Sequence, residues 1–233
     1  MGIYAEGNRF FAARCGNRIV LRPGAGHNAR VIRFPELDAL PVDYAFTDRE
    51  PDIMPGMGEG PQTLDRQGFR TPLWIQAEQV HGAESIVCGV LQADSVVPGV
   101  DALVTDVPNL TLIIRVADCA PVYLVDPERH VIALVHSGRK GTSLNIVPGA
   151  IAKMVRTCGC DPSDIHAVIG PCIRPPHYEV DFAASIVRQA RDAGVRHVSD
   201  CGLNTASDLK RFYSYRLEQG ETGRHFAALR LKK

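Results

Sequence analysis

The sequence predicts an α+β fold: a single layered domain in which mixed β-sheets carry flanking helices. Short apolar runs of strand-like composition follow one another through the middle of the chain, and only two amphipathic helical patterns stand among them. Because the strands cluster in runs and do not alternate strictly with helices, this fold is favoured over a doubly wound one.

The first part of the chain differs from the rest. Residues 1–42 are predicted to be an N-terminal extension with short strands, such as Arg18–Leu21 and Arg30–Phe34, separated by turn signals. Residues 48–72 are rich in Asp, Glu, Gly and Pro and predict a long loop. Residues 43–233 would form the main body of the single domain.

Predicted elements are denser from Pro72 onward. A helix is expected at Ser143–Thr157, ending before Gly159, and a second at Phe182–Ala193, capped by Asp181. Apolar runs bounded by turn residues predict the strands Leu73–Gln76, Ser85–Val90, Ala102–Thr105, Thr111–Ala117, Pro121–Val125, Val131–His136, Ile165–Ile169, Phe212–Arg216 and His225–Leu231.

Composition excludes some classes of protein. The 233 residues carry 26 Lys and Arg against 26 Asp and Glu, so the basic excess of a nucleic-acid-binding protein is absent. No stretch approaches the ~20 apolar residues that span a bilayer, and the first residues lack a signal-peptide pattern. We therefore expect a cytoplasmic protein without membrane or nucleic-acid partners. An odd number of cysteines, seven, suits reduced thiols.

Three polar residues follow or end apolar strands and precede turns: His81, Cys119 and His136. Two imidazoles and one thiolate are a plausible zinc set, because catalytic zinc usually keeps three protein ligands and one open position. The spacing matches no local motif, so two unrelated histidines and a buried thiol are an alternative interpretation. Asp118, beside Cys119, either supports this site or caps a turn.

Several segments together resemble one known family. They are Gln79-Val-His-Gly82, Asp101-Ala-Leu-Val-Thr-Asp106, Val116-Ala-Asp-Cys-Ala-Pro-Val122, Val135-His-Ser-Gly138, Ile169-Gly-Pro-Cys-Ile173, Tyr178-Glu-Val180, Phe212-Tyr-Ser-Tyr-Arg216 and Thr222-Gly-Arg224. In this order they are similar to the YfiH-like family, long labelled multicopper polyphenol oxidase or laccase. The likeness runs from about Asp43 to the C-terminus.

The resemblance carries expectations about fold, activity and partners. The family is understood as purine nucleoside phosphorylase with adenosine deaminase and methylthioadenosine phosphorylase activity, and its fold is related to that of deamidating bacterial toxins. It implies that His81, Cys119 and His136 bind the metal and are the catalytic residues, with zinc as the cofactor. Expected partners are a purine nucleoside and phosphate, and the expected state is a monomer or a small homo-oligomer.

The old laccase label can be tested on the histidines. A multicopper site needs roughly ten histidines, several of them in His-x-His pairs. This chain has eight histidines and no such pair. A single copper ion remains possible at the three-residue site, but a multicopper centre is not expected.

Two cations are candidates for binding phosphate. Arg49 lies in a segment that looks like the Phe-Ser-Thr-Arg of the family, and Lys140 matches the Arg in its His-Ala-Gly-Trp-Arg-Gly segment. Each could equally be an ordinary surface charge. The chain departs from the family at Arg139-Lys140, at Glu50-Pro51 and at Arg174, so the metal site is better supported than the choice of substrate.

Two other functions stay open. Cys119 could be the nucleophile of a cysteine hydrolase or amidase, for example one that edits cell-wall precursors, with His136 or His81 as its base. Alternatively, the chain could be a binding protein that has kept the fold and lost turnover. Metal content separates the first alternative from the zinc enzyme, because a zinc-bound thiolate is a poor nucleophile.

Overall fold

The computed structural model describes residues 10–15, 18–23, 32–49 and 59–233. The chain divides into two compact units, Met1–Arg30 and Val31–Lys233. In the first unit, strands β1 (Phe10–Cys15) and β2 (Arg18–Pro23) pair antiparallel, which confirms the predicted strand at Arg18–Leu21. That the extension and the main body form a single domain stays a prediction.

The second unit contains five helices and eleven strands among its described residues. The helices are α1 (Pro35–Asp38), α2 (Gly60–Arg66), α3 (Arg139–Ser143), α4 (Ile146–Cys158) and α5 (Phe182–Asp192). The strands are β3 (Val42–Phe46), β4 (Trp74–Ala77), β5 (Ser85–Val87), β6 (Ser95–Val97), β7 (Ala102–Thr105), β8 (Thr111–Val116), β9 (Ala120–Asp126), β10 (Val131–Ser137), β11 (His166–Ile169), β12 (His197–Asp200) and β13 (His225–Leu231).

The strands form two mixed sheets. One has five strands in the order β3-β13-β8-β4-β6, and the other has six in the order β12-β11-β9-β10-β7-β5. In the first, β13 is antiparallel to both neighbours, whereas β4 runs parallel to β8 and β6. In the second, β9 and β10 form the central hairpin, with parallel pairs only at the edges.

Apolar side chains place the sheets and helices in layers. Leu112 and Ile114 of the five-stranded sheet share one buried core with Tyr123 and Leu134 of the six-stranded sheet. The outer face of the six-stranded sheet packs on α4 and α5, and α2 covers part of the other outer face through Leu64. The predicted layered α+β fold is therefore confirmed. Within the described residues, no helix is both long and apolar enough to cross a bilayer.

Two predicted strands are wrong. Arg30 and Val31 lie outside the described residues, and Ile32–Phe34 has no regular structure. Phe34 precedes Pro35 and donates its backbone N–H to the Tyr44 hydroxyl, not to a strand. Phe212–Ser214 has no regular structure and a turn follows from Tyr215, because backbone N–H groups here bond to buried side chains: Tyr213 donates to His225 and Arg216 donates to Asp118.

The helices also differ in detail from the prediction. The expected loop 48–72 contains α2, which has a proline in its first turn and a fully buried Leu64. The predicted helix at Ser143–Thr157 begins later, at Ile146, because Asn145 has the left-handed φ of 59° and separates α4 from α3. Its predicted end at Gly159 and the Asp181 cap of α5 are confirmed.

Candidate metal centre

The three predicted ligands meet where the two sheets converge. His81 lies in the turn after β4, Cys119 lies between β8 and β9, and His136 lies within β10. Their ligand atoms are all within 4.8 Å of one another, although the residues are 38 and 17 positions apart in sequence. The ring of His81 stands edge-on to that of His136, with centroids 4.9 Å apart. One ion could therefore contact all three.

Asp101 supports both histidines. Its carboxylate is fully buried and accepts the backbone N–H groups of Val80, His81 and Gly82 at 3.1, 3.0 and 2.7 Å. The same carboxylate contacts Nδ1 of His136 at 2.7 Å. This bond leaves Nε2 as the ring nitrogen of His136 that is available to a metal. A carboxylate behind a histidine ligand is the usual way to orient the imidazole and raise its basicity.

Hydrogen bonds to the carboxylate of Asp118 hold the backbone next to Cys119 in place. Asp118 has a φ of 83°, a left-handed conformation, and its buried carboxylate accepts from Thr205 Oγ1, Ser214 Oγ and the Arg216 backbone N–H at 2.7, 3.0 and 2.7 Å. These partners lie 87 to 98 residues further along the chain. Asp118 therefore ties the Cys119 turn to the C-terminal segment.

Gly138 leaves room for the thiol. A Cβ atom at this position would lie 2.4 Å from Sγ of Cys119, far inside any real contact. Glycine is thus required here by close approach and not by backbone conformation, because the φ of Gly138 is −96°. The Ser-Gly that follows His136 in the sequence has a steric role in the centre.

Electrostatics favour a charged thiol–imidazole pair. Burial by itself would raise the pKa of Cys119, but the charge and hydrogen bond of His136, with a further contribution from His81, lower it to about 6. Burial would likewise lower the pKa of His136, but the charge of Cys119 and the bond to Asp101 raise it to about 9. Burial opposes ionisation of Asp101 too, and the hydrogen bonds from His136 and Gly82 overcome it and lower its pKa.

The donor set fits a zinc ion. Two imidazoles and a thiolate are ligands that zinc prefers, and a three-residue set leaves a position open for water or substrate. His136 is 4% exposed and Cys119 is half-buried, whereas His81 is exposed. The centre is therefore open to solvent on the side of His81. Among the described residues, this is the one cluster of three or more such donors with suitable spacing.

Two arginines belong to segments that adjoin the centre. Arg139 begins α3, three residues after His136, and Arg216 donates its backbone N–H to Asp118. Their guanidinium groups contact the two oxygens of Glu179 at 3.1 and 3.3 Å. Lys140, the neighbour of Arg139 on α3, is exposed. One carboxylate thus faces two arginines, with a lysine beside them.

Arg49 has a different setting. Its guanidinium pairs with Glu218 at 2.8 Å, donates to the Phe212 carbonyl at 3.2 Å and lies 4.8 Å above the Tyr213 ring. Arg49 therefore holds the C-terminal turns together. Of the two predicted phosphate-binding residues, Lys140 lies on α3, four residues after His136, and Arg49 contacts the segment 212–218.

The supporting aspartates are the part of the centre that the sequence did not assign. Asp101 begins one of the quoted motifs, directly before the buried strand β7, so a charged residue at the edge of an apolar run was the available signal. For Asp118, the structure combines both interpretations: it sits in a left-handed turn and it supports the site. Cys172 is fully buried beside the core.

The chain is similar in sequence to a known family and to proteins with assigned names. A family model described as multi-copper polyphenol oxidoreductase laccase matches residues 61–185 and 180–232. The chain is 32% identical to a purine nucleoside phosphorylase of Deinococcus radiodurans, over 83% of this chain and 91% of that protein. It is 34% identical to a purine nucleoside phosphorylase of Corynebacterium glutamicum, over 76% of this chain and 85% of that protein.

Solved structures share the fold. The crystal structure of YlmD from Geobacillus stearothermophilus superimposes with a TM-score of 0.74 at 24% identity, covering 94% of this chain and 98% of that one. The YfiH protein of Bacillus licheniformis gives a TM-score of 0.72 at 24% identity, covering 82% of this chain and 93% of that one. Because the family model matches more than half of the chain and the Deinococcus relative is 32% identical over 83% of it, the chain belongs to the laccase-like YfiH family.

Proposed function

We propose that this protein is a zinc-dependent purine nucleoside enzyme. It would split adenosine, inosine or methylthioadenosine with phosphate, and it would also deaminate adenosine. The observation that carries the proposal is the His81–Cys119–His136 cluster, with donor atoms within 4.8 Å of one another, in a chain whose relatives are named purine nucleoside phosphorylase. The laccase description has weaker support, because the described residues offer one three-donor cluster and not the several that four coppers need.

The two reactions make different demands on the site. In phosphorolysis, a phosphate oxygen forms a bond to the anomeric carbon while the bond to the purine nitrogen breaks, and the base leaves with the electron pair and takes up a proton. In deamination, water adds to the carbon that bears the amino group, and ammonia leaves. Zinc held by His81, Cys119 and His136 would supply a Lewis-acidic charge that polarises a bound oxygen.

The chain's own residues would orient these reactants. Asp101 keeps the ring of His136 turned toward the cluster, and Gly138 allows Cys119 to approach it. Phosphate would be held by Lys140, and Arg139 and Arg216, which both pair with Glu179, would contribute positive charge. Arg49 could assist only by exchanging Glu218 for the ligand.

Metal analysis combined with a turnover assay tests the proposal. We expect about one zinc per chain in the wild type, as the three-donor site implies, together with phosphate-dependent release of base from adenosine or inosine. Cys119→Ala should lose both. Cys158→Ala, which removes a half-buried thiol at the end of α4, is the matched control and should keep both.

Each of the other outcomes points to a different function. Metal-free protein whose Cys119 alkylates readily would replace this proposal with the cysteine hydrolase. Zinc without nucleoside turnover would leave the metal centre standing and refute the substrate.

The phosphate contact has its own test. Lys140→Gln should raise the KM for phosphate ~10-fold or more, because a charge-assisted contact is lost, with little change in zinc content. Lys153→Gln on α4 is the matched control. An unchanged KM for phosphate in Lys140→Gln would remove this residue from the proposed phosphate site.

A further inference from the structure

A cavity lies on the five-stranded sheet, away from the metal centre. It has a volume of about 390 Å³ and is bounded by β3, by the loop after α2 and by the end of β13. None of its lining residues is a candidate metal ligand.

The cavity is rich in positive charge. Arg33, Arg70, Arg230 and Lys232 line it, and the acidic residues among the lining are Asp38 and Asp43. Arg33 pairs with Asp38 at 2.6 Å and Arg230 pairs with Asp43 at 2.8 Å. Four cations against two carboxylates leave an excess of two positive charges in one concave space.

The excess charge resides on two side chains. Lys232 reaches Asp43 only at 4.0 Å, and that carboxylate is already bound by Arg230. Arg70 is exposed, and its side chain forms no ion pair with a carboxylate of the described residues. Gathering cations in this way costs electrostatic energy unless a bound anion compensates for it.

Other donors in the cavity are held in place beforehand. Arg230 donates to the Arg70 carbonyl at 2.7 Å and its guanidinium lies 5.0 Å from the centre of the Phe69 ring. The Arg33 guanidinium lies 5.5 Å from the centre of the Tyr44 ring. Fixed guanidinium groups lose little conformational freedom when they bind an anion, and their planar fork suits phosphate oxygens.

We propose that this cavity binds a small phosphate-bearing anion, at a site separate from the metal centre. Its volume lies within the range of small-molecule sites. It is large enough for an organic phosphate as well as for an inorganic one. Arg70 and Lys232 would contact the phosphate, while the paired Arg230 would frame it.

Calorimetric titration of the full-length chain with pyrophosphate, and separately with AMP, tests this site. Both Arg70→Gln and Lys232→Gln should weaken binding ~10-fold or more, because each removes one charge-assisted contact. Arg156→Gln, an exposed arginine in the last turn of α4, is the matched control and should leave binding unchanged. The relative affinities of the two probes separate an inorganic from an organic ligand.

Two further measurements separate this site from the metal centre. Binding should persist in Cys119→Ala, and nucleoside turnover should persist in Arg70→Gln. Binding that disappears in Cys119→Ala but survives Arg70→Gln would show that the anion sits at the metal centre, and would overturn the proposal. If neither pyrophosphate nor AMP bound to the wild type, the proposal would also be overturned.

Discussion

Two buried histidines in this molecule have pKa values shifted in opposite directions. His136 is 4% exposed and has a pKa raised to about 9, whereas His225 is fully buried and has a pKa lowered to about 3. Burial lowers the pKa of an imidazole in both places. At His136, the thiolate of Cys119 and the carboxylate of Asp101 outweigh that effect.

Among the described residues, no such anion bonds to His225. Its Nδ1 donates to the Thr47 carbonyl at 2.7 Å, and its Nε2 accepts the backbone N–H of Tyr213 at 2.8 Å. Both positions are used by the neutral ring, so a second proton would point at a donor. The contrast shows that the partners, and not the depth of burial, separate a reactive histidine from a structural one.

The largest effect is expected from His136→Ala. This change removes one of the three proposed metal ligands and leaves the Asp101 carboxylate buried without its imidazole partner. Zinc affinity should fall by more than the ~100-fold typical of a lost supporting residue, and nucleoside turnover should fall with it. Equilibrium dialysis against zinc measures the first effect. Retention of full zinc affinity would show that His136 is as structural as His225.

His225→Phe should affect stability instead of metal binding. It removes the two buried hydrogen bonds that the imidazole makes with the Tyr213 N–H and the Thr47 carbonyl, at about 1–3 kcal/mol each. The free energy of unfolding, measured with urea at pH 7, should therefore fall by roughly 2–6 kcal/mol, while zinc content stays unchanged.

The pH dependence of stability sharpens the same contrast. The folded pKa of His225 is about 3 against an ordinary 6.5, so the unfolded chain binds the extra proton between these values. The contribution of the neutral His225 to the free energy of unfolding is complete above pH 6.5. It is lost as the pH falls toward 3, on the order of 5 kcal/mol in total.

The free energy of unfolding, measured from pH 7 down to pH 4, should consequently change less with pH for His225→Phe than for the wild type. His130→Asn, in the exposed turn between β9 and β10, is the control and should keep the wild-type slope. Equal slopes in all three proteins would contradict a neutral His225.

Asp101→Asn tests what makes His136 different. The amide keeps the size of the side chain but loses the charge, and it weakens the support of both histidines. We expect zinc affinity to fall ~10–100-fold. Asp126→Asn, at a buried carboxylate that bonds the turn after β9, is the matched control and should keep zinc affinity. Equal zinc affinity in Asp101→Asn and the wild type would exclude the supporting role.

The smallest effect is expected from Phe46→Leu. The Phe46 ring stacks on His225 with centroids 4.8 Å apart, and it is fully buried. Leucine keeps most of the apolar volume, so the free energy of unfolding should fall by only about 1 kcal/mol. A loss as large as that of His225→Phe would mean that stacking, and not hydrogen bonding, holds the imidazole.

The errors in the predicted elements have a common cause. Ile32–Phe34 and Phe212–Arg216 contain apolar and aromatic residues typical of strands, but their backbone N–H groups bond to side chains 10, 12 and 98 residues away. The short strand β12 is polar and lies at a sheet edge, so its pattern resembles that of a loop. The pattern of residues within a run does not indicate which side chains outside the run bond to its backbone.

The sequence by itself determined the layered α+β class, most of the central strands, the family and the identity of the three clustered donors. Apolar periodicity and ordered motifs are local properties, which can be read from the order of residues. Only the tertiary structure decided that Asp101 and Asp118 support the centre, that Arg49 pairs with Glu218 and that His225 stays neutral. These roles depend on contacts across up to 178 residues, and burial and charge act through space.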